Sequence, residues 1–236
     1  MRRIAAGLIV IMSVLLVSCK GKTGNTITVG SDKLDNTQSY FSESMHKAAR
    51  CDSGYYYLDK CGASADNLMF YDDKSEESIV LCNKPQCGHD GEECMAYISG
   101  SEFKSELYYY NSYIYMISSK GNLVRISADG TQRTDLGSIC VLSGQDSVSM
   151  CFNDGYAYVS QEITGDIEGN VTVRLHRFNL DTGLSDKIYE ETGYGIGINS
   201  LKTYGSDTFF LKTSVSKDDK GCLLYTSPSP RDMRRS

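Results

Sequence analysis

Residues 107–136 read LYYYNSYIYMISSKGNLVRISADGTQRTDL, short apolar and aromatic runs separated by Asn111-Ser112, Ser119-Lys120-Gly121 and Ala128-Asp129-Gly130. Residues of this kind suit a pleated surface, and their alternation between turn formers predicts an antiparallel meander with one side in and the other out. Asp129-Gly130 is the dipeptide expected to supply the positive backbone angles of a tight hairpin. A meander this small cannot bury its own faces, so it requires neighbours of the same kind.

The rest of the chain supplies them. One pattern recurs: a small residue or Asp, an aromatic or Thr, any residue, an aromatic, then an aliphatic. It stands as Gly54-Tyr55-Tyr56-Tyr57-Leu58, Ser112-Tyr113-Ile114-Tyr115-Met116, Gly155-Tyr156-Ala157-Tyr158-Val159 and, more loosely, Asp207-Thr208-Phe209-Phe210-Leu211. Strands are expected before the pattern at Leu107 to Tyr110, Ser147 to Phe152 and Ile198 to Tyr204, and after it at Asn122 to Ser127 and Val171 to Leu180. A period of about 40–50 residues with about four strands per unit is that of propeller blades, and longer intervals need only loop insertions. The fold class expected is therefore all-β: an incomplete β-propeller of about three four-stranded blades plus part of a fourth, over residues 46–221. The pattern tyrosines are read as rings packed between adjacent blades, since large aromatics dominate core burial.

With 40% hydrophobic residues and 17 Tyr against 7 Phe and no Trp, the composition allows a sizeable core and favours β structure. The formal charge is −6, and leaving out the basic leader and basic tail makes the remainder more acidic still. That sign repels phosphate backbones and argues against a nucleic-acid partner.

Met1-Arg2-Arg3 is a charged opening and Ile4 to Val17 an apolar run too short to span a bilayer comfortably, as in a signal peptide. The run ends in Leu16-Val17-Ser18-Cys19, which resembles the bacterial lipobox; the resemblance implies that residues 1–18 are removed and that Cys19 is lipidated. Acyl chains contribute about 0.8 kcal/mol per buried methylene, so the expected location is the outer face of the cytoplasmic membrane, with Cys19 as anchor. Residues 19–45 are polar and without periodicity, as expected of a flexible tether.

The densest reactive group is Cys82, Cys87, His89 and Cys94, in the segment LCNKPQCGHDGEEC at 81–94, placed between the strand ending at Cys82 and the next blade. Three thiolates and an imidazole form a competent tetrahedral zinc set, and Pro85, Gly88 and Gly91 permit tight folding around an ion. Outside the cell a disulfide among these cysteines, or with Cys51 or Cys61, is the competing reading. Either would staple a loop. There is no Gly-x-Ser-x-Gly elbow, no His-Glu-x-x-His and no phosphate-binding Gly-x-x-x-x-Gly-Lys. Gly193-Tyr-Gly195-Ile-Gly197 reads as a connection between blades, His176 as a surface or satisfied strand histidine, and the acidic loops as solvated turns.

The Tyr-x-Tyr hairpins, the segment Asn122 to Gly130 and the cysteine insert together resemble the tandem β-propeller repeats of unknown function in surface lipoproteins of Gram-positive gut bacteria, over about 50–215. The resemblance implies a membrane-tethered module with a binding or scaffolding role toward a protein or glycan ligand. The rival expectation is a propeller-type enzyme, glycan-active or quinone-dependent, with its catalytic residues in further blades. Residues 222–236 do not continue the pattern, and CLLYTSPSPRD resembles a translated sequencing adapter, implying an artefactual tail. Its first residues can pair by accident with the exposed edge of the preceding strand, and Pro228 and Pro230 would end such a strand.

Overall fold

The computed structural model describes residues 48–100, 102–165, 169–217 and 223–226. Cys19, the leader and the tether lie outside the described residues, as do Pro228 and Pro230. The described chain is all strand and turn, arranged as four antiparallel sheets that follow one another in sequence. The first comprises β1 (Ala48–Cys51), β2 (Gly54–Lys60), β3 (Ala65–Asp72), β4 (Glu77–Val80) and β5 (Tyr97–Ser99). The second comprises β6 (Tyr108–Tyr110), β7 (Tyr113–Ile117), β8 (Asn122–Ser127) and β9 (Arg133–Ser138). The third holds β10 (Ser147–Asn153), β11 (Tyr156–Thr164), β12 (Asn170–Asn179) and β13 (Ser185–Tyr194), and the fourth β14 (Gly197–Tyr204), β15 (Asp207–Lys217) and β16 (Leu223–Thr226).

In the middle of the molecule the second sheet is buried on both faces, in keeping with its need for neighbours on either side. Tyr108, Tyr109 and Tyr110 are all buried, as are Ile114 through Ile117. Alternate side chains of the second sheet enter two different cores. Leu107, Tyr109, Ile114, Met116 and Ile126 meet Ala49, Tyr56, Leu68, Phe70 and Ile98 of the first sheet. Tyr108, Tyr110, Tyr115, Ile117 and Leu123 meet Met150, Phe152, Ala157, Val159 and Phe178 of the third. A third core joins Cys151, Val173 and Leu175 to Ile198 and Leu201 of the fourth. The first strands of successive sheets are also neighbours: β1 with β6, β6 with β10, and β10 with β14.

The pattern tyrosines are placed differently from the expectation. The residue between them, Tyr56, Ile114 or Ala157, is the fully buried one. Of the pattern rings only Tyr115 is buried; Tyr55, Tyr57, Tyr113, Tyr156 and Tyr158 are half-buried. An arginine caps the first ring of each described Tyr-x-Tyr pair: Arg50 lies 4.3 Å from the Tyr55 centroid, Arg125 4.7 Å from Tyr113 and Arg177 5.3 Å from Tyr156. In each contact the guanidinium group itself lies over the ring, where the negative face of the aromatic attracts the cation.

The hairpin angles also fall elsewhere. Asn111 and Ser112 both have positive φ, 48° and 61°, as do Asp154 and Gly155, 47° and 78°, so these pairs form the two-residue primed turns. In Asp129-Gly130 only Gly130 does, at φ 69°, within a longer loop tied by Thr131 N–H to Asp129 Oδ1 at 3.0 Å and Gln132 N–H to Ser127 Oγ at 2.9 Å. Gly195, in a left-handed conformation, and Ile196 join β13 to β14, while Gly193 and Gly197 belong to the strands. Residues 223–226, assigned from sequence to a tail outside the fold, pair with β15 from Ser214↔Thr226 to Lys217↔Leu223. The partner is the strand edge that the preceding residues leave open, which accepts any extended segment regardless of its origin.

The second and third sheets are coupled through Tyr108, whose hydroxyl accepts the Met150 N–H at 3.0 Å and donates to Glu106 Oε2 at 3.3 Å. Phe152 completes this junction, stacked on Tyr110 at 5.0 Å and tilted against Tyr115 at 4.6 Å. Tyr108→Phe keeps the ring and removes the acceptor, so chemical denaturation should show a loss of about 1–3 kcal/mol. Tyr113→Phe, at a half-buried ring, should cost less than half of that.

Candidate metal centre

The cysteine insert does not connect two sheets. It interrupts the outer strand of the first sheet: β4 pairs with Met69 to Asp72 of β3, and β5 pairs with Ala65 to Asn67 of the same strand. Leu68 closes the base of the excursion, accepting the Leu81 N–H at 2.8 Å and donating to Ala96 O at 2.8 Å. Leu81, Cys94 and Ala96 plug this base into the first core. The backbone ladder thus continues across the insertion while residues 82–95 are thrown outward.

Within that loop the sequence-predicted set comes together. One ligand atom from each of Cys82, Cys87, His89 and Cys94 lies within 4.8 Å of every other, with Cys94 buried and the other three half-buried. His89 turns Nδ1 toward Cys94 Sγ at 3.3 Å. Gln86 and His89 hold left-handed backbone conformations, φ 56° and 58°, and these turns aim Cys87 and His89 at the cluster. Cys51 and Cys61, the other proposed disulfide partners, are not members of it: Cys51 is buried with its thiol donating to Gly54 O at 3.4 Å, and Cys61 is exposed. Burial pushes the Cys94 thiol well up. Burial acts the same way on Cys82, but hydrogen bonds from the Lys84 amide, Cys94, the Met95 amide and Cys87 outweigh it and hold that thiol below its ordinary range.

The insert also touches the next sheet. Asn83 Nδ2 donates to Asp129 O at 2.6 Å, the Asn83 amide donates to Gly130 O at 3.4 Å, and Tyr56 Oη donates to Ala128 O at 3.2 Å. Gly130 has to be glycine twice over, since a Cβ there would stand 2.6 Å from Leu81 O and φ is positive.

A second polar constellation escaped the sequence reading. His176, read there as a surface or satisfied strand histidine, is a buried strand histidine bonded to Gln161 and, through it, linked to Asp146. Gln161 Nε2 donates to Val141 O and to Asp146 Oδ2, both at 2.8 Å, which leaves Oε1 to accept from His176 Nε2 at 3.2 Å. Asp146 also accepts from the Ser143 amide at 3.0 Å and Ser143 Oγ at 2.5 Å. The chain pins the loop between β9 and β10 onto the third sheet. Its members are far apart in sequence, and no spacing rule links them. Every polar atom of the Gln161 amide is engaged within the protein, so the arrangement is that of a structural network.

No family model matches this chain, and no curated protein matches it either.

Burial first, then Arg174 and Lys187, lowers the His176 pKa, against a smaller opposing effect of Glu190. A histidine with a depressed folded pKa stabilises the fold above its unfolded value, about 6.5, and that stability is lost as pH falls toward the folded value. Unfolding free energy should therefore decline between pH 7 and pH 5. His176→Gln, which retains a donor for Gln161, should flatten the part of that decline due to the imidazole, as read from denaturant midpoints across the range.

Proposed function

We propose that this chain is a membrane-tethered, extracytoplasmic β-propeller module with a binding or scaffolding role, its ligand a protein or a glycan. The observation that carries this reading is the adjacency of β1, β6, β10 and β14, combined with cores on both faces of the second and third sheets. Sheets stacked face to face with their first strands inward are blades around an axis, and the loops of successive blades then gather at the ends of a rigid frame, where ligands are bound. The anchor in this reading is Cys19, supported by the charged opening, the short apolar run and the lipobox-like Leu16-Val17-Ser18-Cys19. Among the described residues there is no helix long and apolar enough to cross a membrane.

Expressed in a bacterial host, the protein should partition into detergent, and Cys19→Ala should release it or block its processing. An alanine variant that is processed and retained unchanged would remove Cys19 as the anchor.

The blade reading has a separate test. On the fourth sheet Tyr204, Phe209, Phe210 and Leu211 are exposed, with Phe210 beside the ring of Tyr189 at 5.5 Å. A blade face left open in this way recruits other chains. A recombinant 20–221 segment should show β-type circular dichroism and self-associate in sedimentation, and Phe209→Glu should weaken the association. A stable monomer with cooperative unfolding would favour a self-contained sandwich of packed sheets instead.

A further inference from the structure

We propose that Cys82, Cys87, Cys94 and Nδ1 of His89 bind one zinc ion, and that the ion locks the insert of the first sheet against the second. The donor geometry is the first argument. Tetrahedral zinc at ordinary bond lengths sets sulfurs about 3.8 Å apart and sulfur and nitrogen about 3.5 Å apart. The four ligand atoms here lie within 4.8 Å of one another, and the Nδ1 to Cys94 Sγ separation is 3.3 Å. Closing on an ion requires shifts of about one ångström, within a loop that carries no strand pairing of its own. A single disulfide uses two sulfurs and leaves a third sulfur and an imidazole converged on it with no partner of comparable strength.

Backbone conformation is the second argument. Gln86 and His89 adopt the left-handed region without being glycine, and both strained positions serve to bring Cys87 and His89 inward. Backbone–backbone hydrogen bonds inside the loop are Cys87 N–H to Lys84 O at 3.3 Å and Cys94 N–H to Gly91 O at 2.9 Å, while the Lys84 and Met95 amides turn to the Cys82 sulfur instead. A shared ion supplies what the loop's own backbone lacks.

Binding deprotonates the three thiols and leaves a centre with one net negative charge. Lys84, in the same loop, is paired with Glu93 at 2.9 Å. Protein atoms fill all four positions, so the site has no open coordination for chemistry and acts as a clasp. Its mechanical consequence passes through Asn83, the neighbour of the first ligand, which holds Asp129 and Gly130 of the second sheet.

The test uses the full chain purified in detergent under anaerobic conditions without added reductant. Elemental analysis after dialysis should find close to one equivalent of zinc, and exchange with cobalt should give the intense visible bands of a tetrahedral site together with thiolate charge transfer. Cys87→Ser and His89→Gln should each lower metal retention at least tenfold under chelator competition, while Cys61→Ser should leave it unchanged. Chelation should speed cleavage by a glutamate-specific protease at Glu92 and Glu93. Should the cysteine variant fail to fold, the cobalt spectrum of the unaltered chain still decides. A peptide spanning 82–94 that is two hydrogens lighter, with two thiols missing, would overturn the proposal in favour of a disulfide. Three titratable thiols without metal uptake would overturn it outright.

Discussion

Burial on both faces is the constraint from which the rest of this structure follows. A sheet with one apolar face is satisfied by a single partner, but β6 and β7 are apolar on both sides and require two. The second sheet accordingly separates two cores, and the third does the same. Each core is narrow, and aromatic rings bridge it: Tyr56 stacks on Tyr109 across the first junction, and Tyr110 on Phe152 across the second. Such pairs add about 0.5–1.5 kcal/mol each to the area they bury. Stability in an array of this kind is distributed over junctions between neighbours, so a weakness at one junction is felt locally.

Hydroxyl groups give those junctions their register. Apolar faces alone would slide, because apolar attraction has little direction. Tyr56 Oη on Ala128 O, Tyr108 Oη under Met150 N–H and Gly155 N–H on Tyr110 Oη at 3.3 Å each tie a ring on one sheet to a backbone atom of the next. This accounts for tyrosine in place of phenylalanine at these three positions. A buried ring that ends in a hydroxyl can fill a core and also satisfy a backbone group at its far side.

The first junction is reinforced differently. Its outer strand is split opposite Leu68, and the insertion reaches across to the Asp129-Gly130 turn through Asn83. The ladder runs on across the split through Leu68, but the excursion itself has no strand pairing, and the convergent thiols and imidazole stand within it, where a local crosslink fastens the loop. At the junction between the second and third sheets the corresponding part is played by the buried chain from Ser143 through Asp146 and Gln161 to His176. Both devices fasten a loop to a sheet where backbone pairing ends.

Much of this was legible from residue order. The five strands expected beside the second, third and fourth patterns fall within a residue or two of their expected limits, because alternation and turn formers are local properties of the chain. The four members of the cysteine and histidine cluster were legible for the same reason: they lie within one short segment, so spacing alone brings them close. What tertiary structure decided was everything that depends on neighbours distant in sequence. Alternation marks two sides of a strand but not whether the second side meets water or another sheet, so the burial of all of Tyr108 to Tyr110 could not be read locally. The insert was read as a connection, yet it interrupts a strand, because β5 returns to the edge of β3 that β4 had left. The network of Asp146, Gln161 and His176 carries no local pattern at all. Its members meet through pairing within the third sheet, where Val148 faces Gln161 and Val159 faces His176, and their burial makes each hydrogen bond obligatory.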